Sequence, residues 1–257
     1  MANAANRVEI LYEIPTTDPR WVLRDEDNVP ESVLQDEVNR ELVDVLERWI
    51  ATRGVSARAG SNIALRWDPD SPQIGVDPDV YLVEPDMPEG ELARSLCTWK
   101  PGHHAPRVCI EVVSDRTAEK DYGDGPDRYA ASGVRELWVF DPRRCGSGPR
   151  GGPFLLQVWR RDARGRFRRA YAGEGPARSE ELDAWIVPVD EGTHLRIADD
   201  AEGTRLWPTR AEFERAEKER ERAEKERERA EKERERAEKE SLLERIKALE
   251  AELARRG

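Results

Sequence analysis

The sequence predicts an α/β protein in which a folded body is followed by a long, charged C-terminal helix. Residues 31–50 place apolar side chains at three- and four-residue steps, as one face of a helix does. Residues 107–140 follow the order strand, helix, strand. Residues 214–240 repeat the motif ERAEKER with a period of seven residues. Together these patterns indicate a mixed α/β body and a separate helical tail.

The acidic charge of the chain is concentrated in the predicted body. The 257 residues carry a net charge of −11. Residues 211–257 hold 15 Lys+Arg and 16 Asp+Glu, whereas residues 1–210 hold 28 and 38. A body of this length can bury a hydrophobic core as one domain. Its charge argues against a general nucleic-acid coat protein, but not against a metal-dependent nuclease, whose metal ligands are themselves acidic.

Hydropathy and cysteine content exclude further classes of protein. No run of apolar residues approaches the roughly 18 that a membrane span needs. Residues 1–9 lack the basic-then-apolar order of a signal segment. Cys97, Cys109 and Cys145 are too few, and odd in number, for a disulfide scaffold. We therefore expect a cytoplasmic protein in a reducing compartment, with no membrane partner.

Four apolar runs predict the strands of the first part of the body, at residues 61–67, 76–84, 107–114 and 136–140. The run 107–114 is mostly apolar, which is typical of a strand covered on both faces. A short helix at residues 117–132, interrupted by glycines and a proline, separates it from 136–140, and the pairing direction of the two strands stays open.

A Gly- and Pro-rich loop at residues 145–153 separates this part from four further predicted strands. These strands are expected to form an antiparallel meander at the edge of the core, and they cover residues 154–161, 167–171, 185–188 and 195–197.

The tail is predicted to be one helix over residues 210–254. A coiled coil needs two apolar positions per heptad, and the repeat offers one alanine. Its Glu–Lys pairs at i,i+4 each stabilise an isolated helix by about 0.2–0.5 kcal/mol. An apolar stripe follows the repeat and consists of Leu242, Ile246, Leu249 and Leu253. We expect this stripe to bind another helix weakly.

Two acidic residues have a context that suggests chemistry. Asp79 stands at the entrance of an apolar strand, and Glu111 stands inside another. A carboxylate at strand centre is costly unless it is paired or bound to a cation. Two carboxylates on neighbouring strands can share one Mg²⁺, with a backbone carbonyl and waters completing the octahedron. The alternative is that Asp79 caps a turn and Glu111 pairs with an arginine, and spacing alone favours it.

Five blocks between residues 78 and 142 resemble the Uma-two-type restriction endonuclease family of the PD-(D/E)XK nuclease superfamily. In order along the chain, the blocks are PDV at 78–80, EVVS at 111–114, KDY at 120–122, YAASGV at 129–134 and ELWVFDP at 136–142. The resemblance implies a restriction-endonuclease-like core, a mixed sheet flanked by helices, over residues 28–207. Residues 1–27 are then an N-terminal extension and residues 208–257 a heptad-repeat tail.

The resemblance also implies an activity: metal-dependent hydrolysis of DNA phosphodiester bonds by an endonuclease that dimerises through its body. It implies Asp79, Glu111 and the backbone carbonyl of Val112 as ligands of Mg²⁺ or Mn²⁺. It places a polar group on the first helix near the metal or its water, and Gln35 or Glu37 would supply it.

The sequence departs from the family at the catalytic lysine. That lysine would stand two residues after Glu111 or, in relatives, on the following helix, and these positions hold Val113 and Gly125. Lys120 is the better replacement; Arg128 is weaker, because a guanidinium is not readily deprotonated. The alternative function is that of a catalytically degenerate relative that acts in binding or assembly through its tail.

Two other groups of residues favour structural roles or stay open. His103 and His104 lie between Cys97 and Cys109, but the spacing is loose for zinc and favours an ordinary loop. Six arginines between residues 160 and 169 could contact phosphates or protect the edge of a hairpin, and the sequence supports both about equally.

Overall fold

The computed structural model of the protein describes residues 8–11, 17–23, 33–88 and 94–256. The chain forms two compact units, Met1–Thr209 and Arg210–Gly257. The strands of the described residues are β1 Glu9–Ile10, β2 Arg58–Gly60, β3 Ala64–Arg66, β4 Val80–Val83, β5 Ser95–Cys97, β6 Val108–Val112, β7 Glu136–Phe140, β8 Leu156–Arg161, β9 Phe167–Gly173, β10 Ala177–Ser179, β11 Ala184–Val189 and β12 His194–Ala198. The α-helices are α1 Val33–Arg53, α2 Ala118–Tyr122, α3 Gly125–Ser132 and α4 Arg210–Arg256.

A mixed sheet of seven strands forms the centre of the first unit, in the order β1-β9-β8-β7-β6-β4-β2. The pair β6 and β7 is parallel, and the other neighbouring pairs are antiparallel. The strand–helix–strand prediction for residues 107–140 is confirmed, with α2 and α3 as the connection between the two parallel strands. The predicted fold class, an α/β core with a mixed sheet, added antiparallel strands and a long C-terminal helix, is confirmed.

Helix α1 covers one face of the central sheet. Its buried apolar side chains follow the predicted three- and four-residue steps: Val38, Leu42, Val45 and Leu46. Fully burying a Val or Leu side chain stabilises the fold by about 1.5–3 kcal/mol relative to leaving it exposed. The helix ends at Gly54, which adopts a left-handed φ of 63° and donates its N–H to Ile50. Its predicted start at residue 31 lies outside the described residues.

The opposite face of the sheet packs against α2, α3 and the parallel pair β3–β5. The side chains of β4 alternate between the two faces of the sheet. Val80 and Leu82 belong to the core on the α1 side, whereas Tyr81 and Val83 belong to the other core. Strand β6 is buried along its whole length, as its apolar run predicts. Glu111 therefore lies on a strand covered on both faces, and Asp79 stands one residue before β4.

Three segments differ from the prediction. The strand expected at 61–67 is shorter in the structure and corresponds to β3. Strand β2, which the sequence does not predict, precedes it, and Asn62, with a φ of 54°, lies between the two strands. The expected meander divides: β8 and β9 extend the central sheet, whereas β11 and β12 pair with β10 in a separate sheet. The expected helix at 117–132 is two helices, with a break between Tyr122 and Gly125.

The second unit consists of α4, which spans 47 residues and is about 70 Å long at 1.5 Å per residue. The prediction of one long helix is confirmed. Leu242, Ile246 and Leu249 are 50–59% exposed, and the side chain of Leu253 lies outside the described part. Within the described residues, no helix combines the length and the apolar character that a membrane crossing requires.

Candidate functional site

Asp79 and Glu111 meet at the end of two neighbouring strands. The antiparallel register of β4 and β6 pairs Val80 with Ile110, so one further step places Asp79 opposite Glu111. Residues directly opposite each other on one face of an antiparallel pair have Cβ atoms about 4.5–5.5 Å apart. The N–H of Val112 donates a hydrogen bond of 2.6 Å to Asp79 Oδ2. The structure thus brings together the two acids that the sequence singles out.

A side chain from α1 holds the other oxygen of Asp79. Gln35 is buried, and its Nε2 donates a hydrogen bond of 3.0 Å to Asp79 Oδ1. Glu37 is exposed two residues further on, about 200° around the helix. Of the two candidates on α1, only Gln35 contacts Asp79 in the part of the chain that the structure describes. Helix α1 therefore contributes to the site through Gln35.

The backbone of Val112 also faces Asp79. A strand residue directs its N–H and its carbonyl to the same side, because antiparallel partners exchange both groups. Since the N–H of Val112 bonds to Asp79, its carbonyl belongs to that side of β6 as well. This is the side on which the family resemblance implies a backbone ligand.

Glu111 is a buried carboxylate, 3% exposed. The hydroxyl of Tyr129 donates a hydrogen bond of 2.6 Å to its Oε1, and Lys120 Nζ lies 3.7 Å from the same oxygen. Burial raises the pKa of Glu111 well above that of an exposed glutamate; Lys120 opposes this rise, while Asp121 and Asp79 add to it. Glu111 therefore pairs with a lysine, and the expected alternative of an arginine partner is not what the structure shows.

Lys120 is the cation beside the acidic pair. Its side chain is 39% exposed, and its Nζ lies 3.7 Å from both Glu111 Oε1 and Asp121 Oδ1. Glu111, more than the other acids, raises the pKa of Lys120, so the ammonium is charged at neutral pH. Lys100 is exposed in the turn after β5, and Arg128 pairs with Asp124 at 3.0 Å.

The two positions at which the resemblance implies a lysine hold uncharged residues in this chain. Val113 is 2% exposed and belongs to the apolar core that also contains Tyr122. At Gly125, an added Cβ would make a tight contact of 3.0 Å with the carbonyl oxygen of Lys120. Lys120 instead approaches Glu111 from α2, the helix before Gly125.

Asp121 and Tyr129 were missed as site residues by sequence reasoning. Asp121 is 2% exposed, and neither of its carboxylate oxygens has a hydrogen bond within 3.5 Å among the described residues. Lys120 and Thr117 are the neighbours that favour its charged form. Burial raises its pKa, against the lowering effect of Lys120. A signal existed, because Ala118, Asp121 and Tyr122 are spaced as one helix face and all three are buried.

Other buried carboxylates of the body are saturated by fixed donors. Glu136 accepts from Trp138 Nε1 at 2.7 Å, Arg160 Nε at 3.1 Å and the N–H of Glu180 at 3.0 Å. Asp141 accepts from the Tyr122 hydroxyl and from the backbone N–H groups of residues 145 and 146. Glu111 and Asp121, in contrast, share the ammonium of Lys120, and Glu111 accepts one further hydrogen bond, from Tyr129.

The charge and donor types of the site suit a divalent cation. When ionised, the carboxylates of Asp79, Glu111 and Asp121 exceed the one ammonium of Lys120 by two negative charges. Carboxylate and carbonyl oxygens are the donors that Mg²⁺ and Mn²⁺ prefer. Across the described ranges, no three His, Cys, Asp or Glu side chains form a metal-binding group. An ion here would therefore be held by two carboxylates, a backbone carbonyl and water.

The remaining candidates from the sequence have structural roles. His103 is buried and its Nδ1 accepts a hydrogen bond of 3.2 Å from the N–H of Cys97, as expected of an ordinary loop. In the arginine-rich hairpin, five of the six side chains have partners within the body, namely Arg160, Arg161, Arg166, Arg168 and Arg169. Arg164 is exposed. These contacts favour a charge-protected edge hairpin over a phosphate-binding surface.

Comparisons with known proteins identify the family. A solved crystal structure described as "a putative nuclease belonging to DUF820 from Anabaena variabilis ATCC 29413" is similar, with a TM-score of 0.40 and 16% sequence identity over 70% of this chain and 79% of that chain. A search of curated proteins found no match. The family model described as "Uma2: Putative restriction endonuclease" matches residues 8–147, more than half of the chain. The chain therefore belongs to the Uma2 family.

Proposed function

We propose that this protein is an endonuclease that hydrolyses DNA phosphodiester bonds with Mg²⁺ or Mn²⁺. Family membership supports a nuclease. The observation that carries the metal dependence is the neighbouring pair of carboxylates, Asp79 and Glu111, with Lys120 as the ammonium beside Glu111. Two neighbouring carboxylates are costly to ionise together without a cation, so the pair is suited to binding one.

In this proposal, Asp79, Glu111 and the carbonyl of Val112 hold the ion. A divalent ion supplies charge neutralisation at the phosphate and lowers the pKa of a water molecule. Gln35 and the N–H of Val112 fix the orientation of Asp79 through hydrogen bonds of 3.0 and 2.6 Å. Tyr129 fixes Glu111 in the same way. These fixed partners keep both carboxylates in place before substrate arrives.

Lys120 supplies positive charge on the Glu111 side of the site. The neighbouring carboxylates, Glu111 above all, raise the pKa of Lys120 and so favour its charged form. As an ammonium it would stabilise charge on the phosphate and orient the attacking water. Its side chain is partly exposed, so a phosphate can approach it from solvent. Lys120 would thus take the role of the family lysine from a different position.

The substrate and the assembly are inferred from the family and the sequence. DNA is the substrate class of restriction endonucleases, and the acidic body predicts weak DNA binding when no divalent ion is present. Residues 28–207 would form the nuclease domain, and two chains would dimerise through this domain. The protein would act in the cytoplasm. The tail, residues 208–257, would act as a spacer that binds another helix weakly.

Plasmid cleavage tests the proposal most simply. The wild-type protein, Glu111→Ala and the control Glu119→Gln are incubated with supercoiled DNA and Mg²⁺, Mn²⁺ or EDTA. Glu119 is an exposed acid on the same helix as Lys120, so its loss leaves the site intact. We expect metal-dependent nicking by wild type and control, and a rate at least about 100-fold lower for Glu111→Ala. A wild-type protein that cuts with neither metal would favour the catalytically degenerate alternative.

A further inference from the structure

We propose that Asp121 is a positioning residue that holds the ammonium of Lys120 in the site while a divalent cation occupies the Asp79–Glu111 pair. The inference rests on the proposed function and goes beyond it, because Asp121 would contact neither the ion nor the substrate. It explains a carboxylate that is 2% exposed and whose Oδ1 lies 3.7 Å from the ammonium nitrogen of Lys120.

The geometry gives Lys120 two equivalent anionic partners. Its Nζ lies 3.7 Å from Glu111 Oε1 on one side and 3.7 Å from Asp121 Oδ1 on the other. Both carboxylates are buried, so their attraction for the ammonium is screened less than that of an exposed ion pair. Lys120 is the cation that Glu111 and Asp121 share.

A divalent ion changes the balance between the two partners. Once Glu111 binds the ion, its negative charge is neutralised, and the ion itself repels the ammonium of Lys120. Asp121 does not bind the ion, so its carboxylate, when ionised, becomes the partner that retains Lys120. Without Asp121, a partly exposed ammonium on a flexible four-carbon chain would move into solvent.

The segment that carries Asp121 is anchored independently of the metal pair. The hydroxyl of the adjacent Tyr122 has two acceptors for its one proton, Asp141 Oδ2 at 3.1 Å and the carbonyl oxygen of Phe154 at 2.9 Å, and it accepts a hydrogen bond of 3.0 Å from the N–H of Phe154. Gly146 packs so closely on the Tyr122 ring that an added Cβ would lie 2.1 Å from it. Asp121 can therefore keep its position when the charge at Glu111 changes.

The first test follows the ammonium directly in the full chain by NMR, after labelling lysine with ¹⁵N. The Lys120 signal is assigned by its absence from Lys120→Met. We expect it to persist in wild type and in Glu119→Gln when the protein is saturated with Mg²⁺. In Asp121→Asn it should be present without Mg²⁺ and lost on saturation. Thermal denaturation verifies that each variant is folded.

The second test is a double-mutant cycle on cleavage at saturating Mg²⁺. Asp121→Asn should lower kcat about tenfold in the wild-type background and less than about twofold in Lys120→Met, because Asp121 acts through Lys120. An equal loss in both backgrounds, or a Lys120 signal that survives Mg²⁺ in Asp121→Asn, overturns the inference. A wild type without saturable Mg²⁺ binding contradicts the proposed function as well. If the wild type binds Mg²⁺ without cutting DNA, the NMR result alone supports or overturns the role of Asp121.

Discussion

The backbone N–H of Val112 donates a hydrogen bond of 2.6 Å to the carboxylate of Asp79. Asp79 stands one residue before Val80, which forms the last pair of β4 and β6 with Ile110. This bond continues the strand pairing with a side chain in place of a carbonyl. It places the acid of one strand beside Glu111 of the next. The candidate site is thus an extension of the central sheet, so its geometry depends on few flexible parts.

Gln35 should matter for activity, and Glu37 should not. Gln35→Ala removes the donor to Asp79 Oδ1, and loss of such an outer hydrogen bond to a metal ligand typically lowers metal affinity or activity by about 10–100-fold. Glu37→Ala changes an exposed side chain on another face of α1 and serves as the matched control. Metal titrations of cleavage would compare the two. Equal rates for both variants would remove Gln35 from the site.

Glu111→Gln should stabilise the metal-free protein at neutral pH. Burial raises the pKa of Glu111, so the folded state favours its neutral form. The stability linked to this group is complete below the pKa of an unfolded glutamate, about 4.3, and is lost as pH rises through the higher folded pKa. Glutamine mimics the neutral form and avoids this loss.

Thermal unfolding in EDTA measures this effect. The Tm of Glu111→Gln should exceed that of wild type at about pH 8, and the difference should vanish at about pH 4. A difference that does not change with pH would show that Glu111 does not have a raised pKa in the folded protein.

Gly146→Ala should destabilise the body and disturb the site. An added Cβ would lie 2.1 Å from the ring of Tyr122, which neighbours Asp121 and Lys120 on α2. Overpacking of this kind costs about 1–3 kcal/mol. Gly175→Ala is the control, since its Cβ would lie 3.5 Å from the nearest atom, the Tyr171 hydroxyl oxygen. Urea denaturation would give both free energies of unfolding, and equal values would contradict the packing described for Tyr122.

Removing the tail should leave the oligomeric state unchanged. The Glu–Lys pairs of α4, such as Glu221–Lys225 at 3.8 Å, support the helix without a partner, and salt should weaken that support. The apolar stripe covers two heptads, which are marginal alone. Sedimentation would compare the full chain with one that ends at Arg210. A full chain that is oligomeric and a shortened chain that is monomeric would show that the tail assembles the protein.

Much of the site follows from local sequence pattern. The apolar period of α1, the strand with Glu111 at its centre and the position of Asp79 at a strand entrance are all readable, because each depends on residues close together in the chain. The pairing of β4 with β6 is not local, and only the order of the family blocks indicates it. The match to the family over residues 8–147 confirms that resemblance.

The burial of Asp121 depends on local pattern and on tertiary packing together. Its spacing with Ala118 and Tyr122 indicates one helix face, but the packing of Ala118 and Tyr122 against the core decides that this face is buried. The separation of β2 from β3 at Asn62 and the separate sheet of β10, β11 and β12 also depend on contacts between distant segments. Contacts between distant segments also decide which side chains surround Lys120. The sequence alone predicts Lys120 as the substitute for the missing family lysine, but not its neighbours.

We propose above that Asp79 and Glu111 share one divalent cation. The most direct test is an anomalous difference map from crystals of the full chain soaked in Mn²⁺. We expect one strong peak within coordination distance of both carboxylates and of the Val112 carbonyl, and no such peak in Glu111→Gln. A wild-type map without a peak at this pair, or a peak there that survives Glu111→Gln, would contradict it.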